Sequence, residues 1–463
     1  MALTDRFRSL FTRQTALAPH RRSFDAVTAG RRGAAFRAFG STGPETMAAA
    51  GPVRSRARYA AANNGWIANG VAAYVGEIVG AGIEPTSAHP DADLRPVIEG
   101  AFLDFAEGAD AEGRTDLRGL LALMARATII DGESFAVVEE GPEGIRVRVL
   151  PAEMVDESRT MNLPSGGYVA AGVEFDAEGR RVAYHVLPQR PTDLFATAKE
   201  PIRVPADEVL HLMCPLGPGQ VRGISWLAPV LLTVNELDQL LDALLVGTKV
   251  AALHAGFITN QNDLTGPSSY DETGDEVSLE PGVIHRLSAG EAITFNSPEA
   301  AKDSVAFDRL TLGQIAAGLG VPQHLLDGDL SNANYSSLRA GLLPFRQRVE
   351  QFQYHCLVPQ VLNPLWRRVI SHEIIADRLD VDLAQASRAE WLPPRPMQVD
   401  PLKDTQALRE QLALGLNSRT KAAAAMGWNV ADLDQEIASD RERETALGLK
   451  FTPTGQKPDD YVS

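Results

Sequence analysis

Backbone N–H groups on glycine-rich loops can cradle phosphates, so Gly217-Pro-Gly-Gln-Val-Arg-Gly223 is the first place to look for chemistry. The spacing is GxGxxxG. It lacks a Gly-Lys-Ser/Thr ending and a complete strand–helix–strand unit around it, so a glycine-rich entry to the next helix is the better account. Asp327 and Asp329 are hard oxygen donors that could share a cation, but no third acid lies nearby in sequence and Gly328 fits a turn equally well. The nine His never pair at metal-ligand spacing; His254, His285, His324 and His355 read as isolated residues. No GxSxG occurs, and neither Cys214 nor Cys356 has an evident catalytic His. His355 adjoins Cys356, but helix neighbours point about 100° apart. The two cysteines are far apart in sequence and build neither a disulfide framework nor a CxxC site, which suits a reducing compartment. No residue set supports catalysis, so the expectation is a non-enzyme with no metal and no cofactor.

One polar stretch stands out, Asp327-Gly-Asp-Leu-Ser-Asn-Ala-Asn-Tyr-Ser-Ser337. Ser331, Asn332, Asn334, Ser336 and Ser337 carry short hydrogen-bonding side chains, and Arg339 is the cation beside them in sequence. Asn334 or Ser336 can cap the following helix, which does not exclude a second role.

Hydrophobic periodicity supplies the elements around this loop. Ile67, Val71, Tyr74, Val75 and Ile78 predict a helix within 56–79, stopped by Gly80 and Gly82. Leu120, Leu121, Leu123 and Met124 mark another over 117–129, and Ser134–Val138 follows Asp131-Gly132 as a strand. Strands are expected at 145–150, 168–175, 182–187 and 208–213, with Asp176–Gly179 as a hairpin turn. A long amphipathic helix spans 226–253 on Leu227, Val230, Leu231, Val234, Leu237, Leu241, Leu244 and Leu245. Residues 256–300 are rich in turn signals, and a helix over 300–317 ends at Gly318-Leu-Gly320. A third long helix carries Leu338, Leu342, Phe345, Val349, Phe352 and Cys356, with Pro344, Pro359 and Pro364 expected to kink or interrupt it. Trp391–Pro396 reads as a stiff linker, and short helices after Asp400-Pro401 end at Gly415, Gly427 and Gly448.

The 463 residues suffice for about three domains. No stretch is long and apolar enough for a membrane helix, because Asn235, Glu236, Asp238, Gln239 and Asp242 interrupt the best candidate. Residues 1–58 hold eleven Arg against Asp5, Asp25 and Glu45, a charge of +8. With −16 overall, the remainder carries −24, so a basic arm is joined to an acidic body.

The order of motifs resembles the portal proteins of tailed bacteriophages, in their lambda-like branch. The residues that carry it are Asn63-Asn64-Gly65, Val79–Ile83, Asp131-Gly-Glu-Ser-Phe135, Pro218–Pro229, Ile315–Pro322, Asn334-Tyr-Ser-Ser-Leu-Arg339 and Val399-Asp-Pro-Leu-Lys403. The resemblance covers most of 54–450 and implies an α+β ring subunit with long stem helices, β-rich wing and clip, and a helical crown. It implies a flexible basic arm over 1–50, a wing over 51–226, stem helices at 227–255 and 300–320, and the clip at 256–299. A tunnel loop and a long kinked wing helix then fill 321–399, a crown 400–450, and a flexible tail 451–463. Such rings, commonly of twelve subunits, sit at one capsid vertex of the virion and form in the host cytoplasm. Double-stranded DNA passes through them during packaging and ejection. The implied partners are sister copies, the terminase large subunit, the head–tail connector or adaptor, and the major capsid and scaffolding proteins, with no membrane. In the tunnel loop, Ser331, Asn332, Asn334, Ser336 and Arg339 are the candidate DNA-facing residues. Two other readings stay open: a capsid adaptor or minor capsid protein without a channel, and a metal-dependent phosphoesterase built on Asp327 and Asp329.

Overall fold

The computed structural model describes residues 40–141, 144–191, 200–252, 256–260, 291–295, 301–331, 335–394 and 401–449. Helices and antiparallel sheets share one main core. Helix α1 (Thr42–Asn63) opens inside the stretch expected as the arm, with Thr46 and Ala50 buried. The helix expected within 56–79 is divided, because Asn64 leaves the helical region at φ −104°, ψ 117° and caps α2 (Gly65–Ile78). Its side-chain oxygen accepts from the Ile67 N–H at 3.0 Å. Ile67, Val71, Tyr74 and Ile78 form the buried face of α2, as their spacing requires.

Strand β1 (Glu84–Ser87) and helix α3 (Arg95–Glu107) follow, neither of them signalled by the periodicity argument. Helix α4 (Leu117–Asp131) is capped by Asp116 and closes on Gly132 at φ 96°. From there β2 (Glu133–Gly141) runs through the middle of a three-stranded sheet, between β3 (Gly144–Leu150) and β9 (Val209–Met213). Side chains alternate along β2: Phe135 joins a small core over the second sheet, whereas Ala136 and Val138 join the helical core. That second sheet orders β4 (Met161–Asn162), β5 (Tyr168–Ala170), β6 (Val173–Phe175), β7 (Arg181–Val186) and β8 (Ile202–Pro205). The strand expected over 168–175 is two strands, reversed by Ala171 at φ 46° and Gly172 at φ 83°. Asp176–Gly179 makes the expected turn, with the Gly179 N–H donating to the Asp176 carbonyl at 3.1 Å.

Helix α5 (Leu231–Ala252) begins five residues later than 226, after a turn through Trp226 and Pro229. It leads to β10 (Gly256–Asn260), which pairs antiparallel with β11 (Glu291–Phe295); helix α6 (Ala301–Leu319) returns beside α5. Helix α7 (Gln323–Asp327) is short and ends on Gly328 in the left-handed region.

The third long helix does not break where its prolines predict. Helix α8 (Tyr335–Phe352) contains Pro344, a π-helical segment over Gln353–Leu362 contains Pro359, and α9 (Asn363–Ile375) starts with Pro364 in its first turn. Widening to i→i+5 bonding absorbs a proline that cannot donate to the ladder. Trp391 belongs to strand β12 (Ala389–Leu392), after the short α10 (Leu383–Ala386), and β12 pairs with β1. The linker reading therefore fails at 391–392: the Trp391 ring is buried and its indole N–H donates to Asn363 at 2.9 Å. Helices α11 (Pro401–Ala413), α12 (Arg419–Ala425) and α13 (Val430–Leu447) end near Gly415, Gly427 and Gly448, as expected.

Candidate functional site: a polar loop on a braced base

The loop after α7 is shaped by its own aspartates. The Asp327 carboxylate accepts from the Asp329 N–H at 2.9 Å and the Gln323 amide at 3.0 Å; Asp329 accepts from the Ser331 N–H at 2.8 Å. Those bonds from Ser331 and the nearby Arg309, 3.3 Å away, hold the Asp329 carboxyl below its ordinary range. Two successive Asx turns thus occupy both acids, and among the described residues no group of three His, Cys, Asp or Glu gathers as a metal site.

Ser331 is exposed on this turn. Asn332 and Asn334 lie outside the described residues, and Ser336 lies in the first turn of α8. Arg339, one turn further, is about half exposed and pairs with Asp404 of α11 at 3.0 Å. The cation is thus matched by a carboxylate from the 400–450 helices.

The base of the loop is braced against α2. Asn69 donates to the Leu325 carbonyl at 2.8 Å, and the Tyr74 hydroxyl donates to that of Leu319 at 3.0 Å. Gln353 donates to the Ile78 carbonyl at 2.7 Å and Arg346 pairs with Glu77 at 2.8 Å, which lays α8 along α2. At Gly70 an added Cβ would meet Leu319 and Leu326 at 2.7 and 3.0 Å, so a glycine lets α2 and the loop base touch.

Elsewhere in the body lies a buried knot of charge that periodicity did not reveal. Glu133 is fully buried; Arg222 approaches one of its oxygens at 2.7 Å, and the other accepts from the Gly223 N–H at 2.7 Å and faces His211 Nε2 at 3.1 Å. Arg222 also donates to the carbonyls of Ala171 at 2.8 Å and Ala152 at 2.9 Å. Arg54 of α1 pairs with Glu157 and lies 3.7 Å from Glu133. Burial pushes the Glu133 carboxyl up, but Arg222 and the hydrogen bonds outweigh it and hold the group well below the carboxylate range. Two arginines and two glutamates balance, so the buried His211 needs no proton; burial lowers its pKa despite Glu133. With Nε2–H donating to Glu133, Nδ1 accepts from the Tyr184 hydroxyl at 3.3 Å, a set that suits the neutral ring.

The knot joins two motifs distant in sequence, Asp131–Phe135 and Pro218–Pro229. Glycine is obligatory at both crossing points, because a Cβ on Gly132 would sit 2.2 Å from the Ile224 backbone and one on Gly223 2.2 Å from the Gly132 carbonyl. The same contacts settle the glycine-rich run: Gln220 accepts from the Leu216 N–H at 2.7 Å and donates to the Arg222 carbonyl at 2.9 Å. The run closes on itself as the entry to α5. The sequence signal is slight: Glu133 precedes the apolar run Phe135–Val138, and Arg222 is the one charge within the glycine-rich run.

A lowered His211 pKa sets a pH dependence. Below its ordinary 6.5 the unfolded chain takes up a proton that the folded chain refuses, so this stability is complete above that pH and declines as pH falls. Melting temperature should be lower at pH about 5.5 than at about 7.5, and His211→Gln should flatten the slope. An unchanged slope in that variant would show that His211 does not contribute.

The profile of the family described as "Phage portal protein, lambda family" matches residues 29–353. The probable portal protein of Halomonas phage phiHAP-1 is 24% identical over 380 residues, covering 78% of this chain and 73% of its own. Portal protein B of Escherichia phage lambda is 24% identical over 460 residues, covering 84% and 83%. A subunit from the neck of an empty gene transfer agent particle is similar at a TM-score of 0.45 and 16% identity, over 89% of this chain and 96% of its own. The described residues contain no helix long and apolar enough to cross a membrane. Spanning well over half of the chain, the family match identifies this protein as a member of the lambda family of phage portal proteins.

Proposed function

We propose that the chain is a subunit of a ring of about twelve copies at a single capsid vertex, through which double-stranded DNA is packaged and ejected. The family match over 29–353 carries this reading. The geometry supports it at the two helices that bracket β10 and β11. Their body-facing ends are buried, with Val234, Leu237, Ile315, Ala316 and Leu319 in the core. Their far ends leave Leu245, Val246, Phe307 and Leu310 more than half exposed, a stripe that sister copies can cover. Helices α11 and α13 bury no residue, and Leu402, Leu414, Leu416 and Leu447 are exposed, so the crown also gains from neighbours.

In this assignment α5 and α6 are the stem, and the β10–β11 pair is the clip, which receives the terminase large subunit and then the head–tail connector. The Arg-rich stretch before α1 docks to the major capsid or scaffolding protein. The protein performs no reaction; it assembles in the host cytoplasm and resides in the virion. Ser331, Asn332, Asn334, Ser336 and Arg339 face DNA weakly. A channel must let a polyanion slide, and every phosphate contact adds grip and salt dependence. Pairing of Arg339 with Asp404 and of Arg309 with Asp329 fits weak contact, since each cation is already offset.

Joint Asn332→Ala and Asn334→Ala substitution should leave ring assembly intact and impair DNA filling or retention in proheads. Normal filling with normal retention would remove those residues from the DNA path.

A further inference from the structure

Cys214 and Cys356, distant in sequence, lie on elements that the fold packs together. Cys214 directly follows β9, and Cys356 lies in the π-helical segment on which β9 packs. Both are free thiols: Cys356 belongs to the main core, and Cys214 packs against that same core. The approach is held from one side by a two-way clamp: the Met213 N–H donates to Gln360 Oε1 at 2.8 Å, and Gln360 Nε2 donates to the Met213 carbonyl at 3.0 Å. Gln360 stands one helical turn beyond Cys356. Accessibility is unequal, because Cys356 is buried and Cys214 is partly exposed. Among the described residues no group of three His, Cys, Asp or Glu gathers as a metal site.

We propose that Cys214 and Cys356 form a redox-operated staple, open as two thiols in a reducing compartment and closed as an intrachain disulfide in an oxidising one. The oxidant is a small-molecule disulfide. The Cys214 thiolate attacks one of its sulfurs, forming a mixed disulfide and releasing one small thiolate. The Cys356 thiolate then attacks the Cys214 sulfur, forming the protein disulfide and releasing the second. Both protein protons pass to the departing thiolates, so the small disulfide gains two electrons and the protein loses two. The order of attack follows from the environments. The neighbouring Cys356 draws the Cys214 thiol down to about 7 against the effect of burial, whereas Cys214 and burial push the Cys356 thiol up. Once Cys214 is in the mixed disulfide, its negative charge no longer opposes ionisation of Cys356. Closure ties the β2–β9 sheet to the long helix across 142 positions of chain, from 214 to 356. Such a loop constrains the unfolded chain strongly.

The test uses the full-length protein, incubated near neutral pH with reduced or with excess oxidised glutathione, then read by intact mass and non-reducing peptide mapping. The expected result is loss of two hydrogens per chain with no glutathione retained, and a linked peptide pair containing Cys214 and Cys356. A melting temperature raised by on the order of 5 °C and restored by dithiothreitol should accompany it. Cys356→Ser should stop at one glutathione on Cys214. The proposal is overturned if the oxidised wild type keeps both thiols, retains glutathione on Cys214, or links only between chains. The wild-type measurement decides this whether or not the variant folds, and it is independent of ring formation.

Discussion

Arg222→Met should cost the fold about 3–5 kcal/mol, the penalty of leaving a buried carboxylate without its partner. Glu133 has no exposed surface, and Arg222 is both its closest cation and the donor to the Ala152 and Ala171 carbonyls. Removing the guanidinium strips the charge partner and the carbonyl partners together, and Arg54 at 3.7 Å is too distant to replace them. Urea unfolding should show a large fall in midpoint. Adding Glu133→Leu to Arg222→Met should recover part of the loss, since the double variant leaves no unpaired charge. If Arg222→Met lowers the unfolding free energy by less than about 1 kcal/mol, the knot is not the anchor between β2 and the entry to α5.

Gly223→Ala should be as damaging by a different route. The added Cβ meets the Gly132 carbonyl oxygen at 2.2 Å and the Glu133 side chain at 2.7 Å. Backbone cannot yield there without breaking the hydrogen bond from the Gly223 N–H to Glu133. Gly132 adds a second constraint, because its φ of 96° disfavours any side chain. Either alanine variant should express mostly as aggregate, whereas Gly219→Ala, where a Cβ has open space, should lose only what its φ of 78° costs. Soluble Gly223→Ala with wild-type melting would contradict the close crossing of the two segments.

Much of the scaffold is legible from periodicity and punctuation. The buried face of α2, the hairpin at Asp176–Gly179, and the glycine stops after α11 to α13 all follow from local rules. What stays hidden is created by long-range contact. β1 and β12 are four residues each and gain their order only by pairing across the chain, so Trp391 beside two prolines reads as a linker. Pro359 reads as a break because sequence does not reveal that the helix widens around it. Cys214 and Cys356 come onto facing elements only when β9 packs on the π-helical segment, and Glu133 meets Arg222 only when the entry to α5 crosses the end of α4. For the polar loop the residue types are visible in sequence, while the brace beneath it, from Asn69, Tyr74 and Gln353, belongs to tertiary structure.

The ring itself is tested most directly by imaging the purified full-length protein as single particles, with native mass measurement on the same sample. The account predicts closed rings with an open axis, about twelve copies in each, that fall to folded single subunits when Leu310 and Val246 are replaced by Glu. A wild-type protein that stays a stable single copy, or assembles with no central opening, would contradict it.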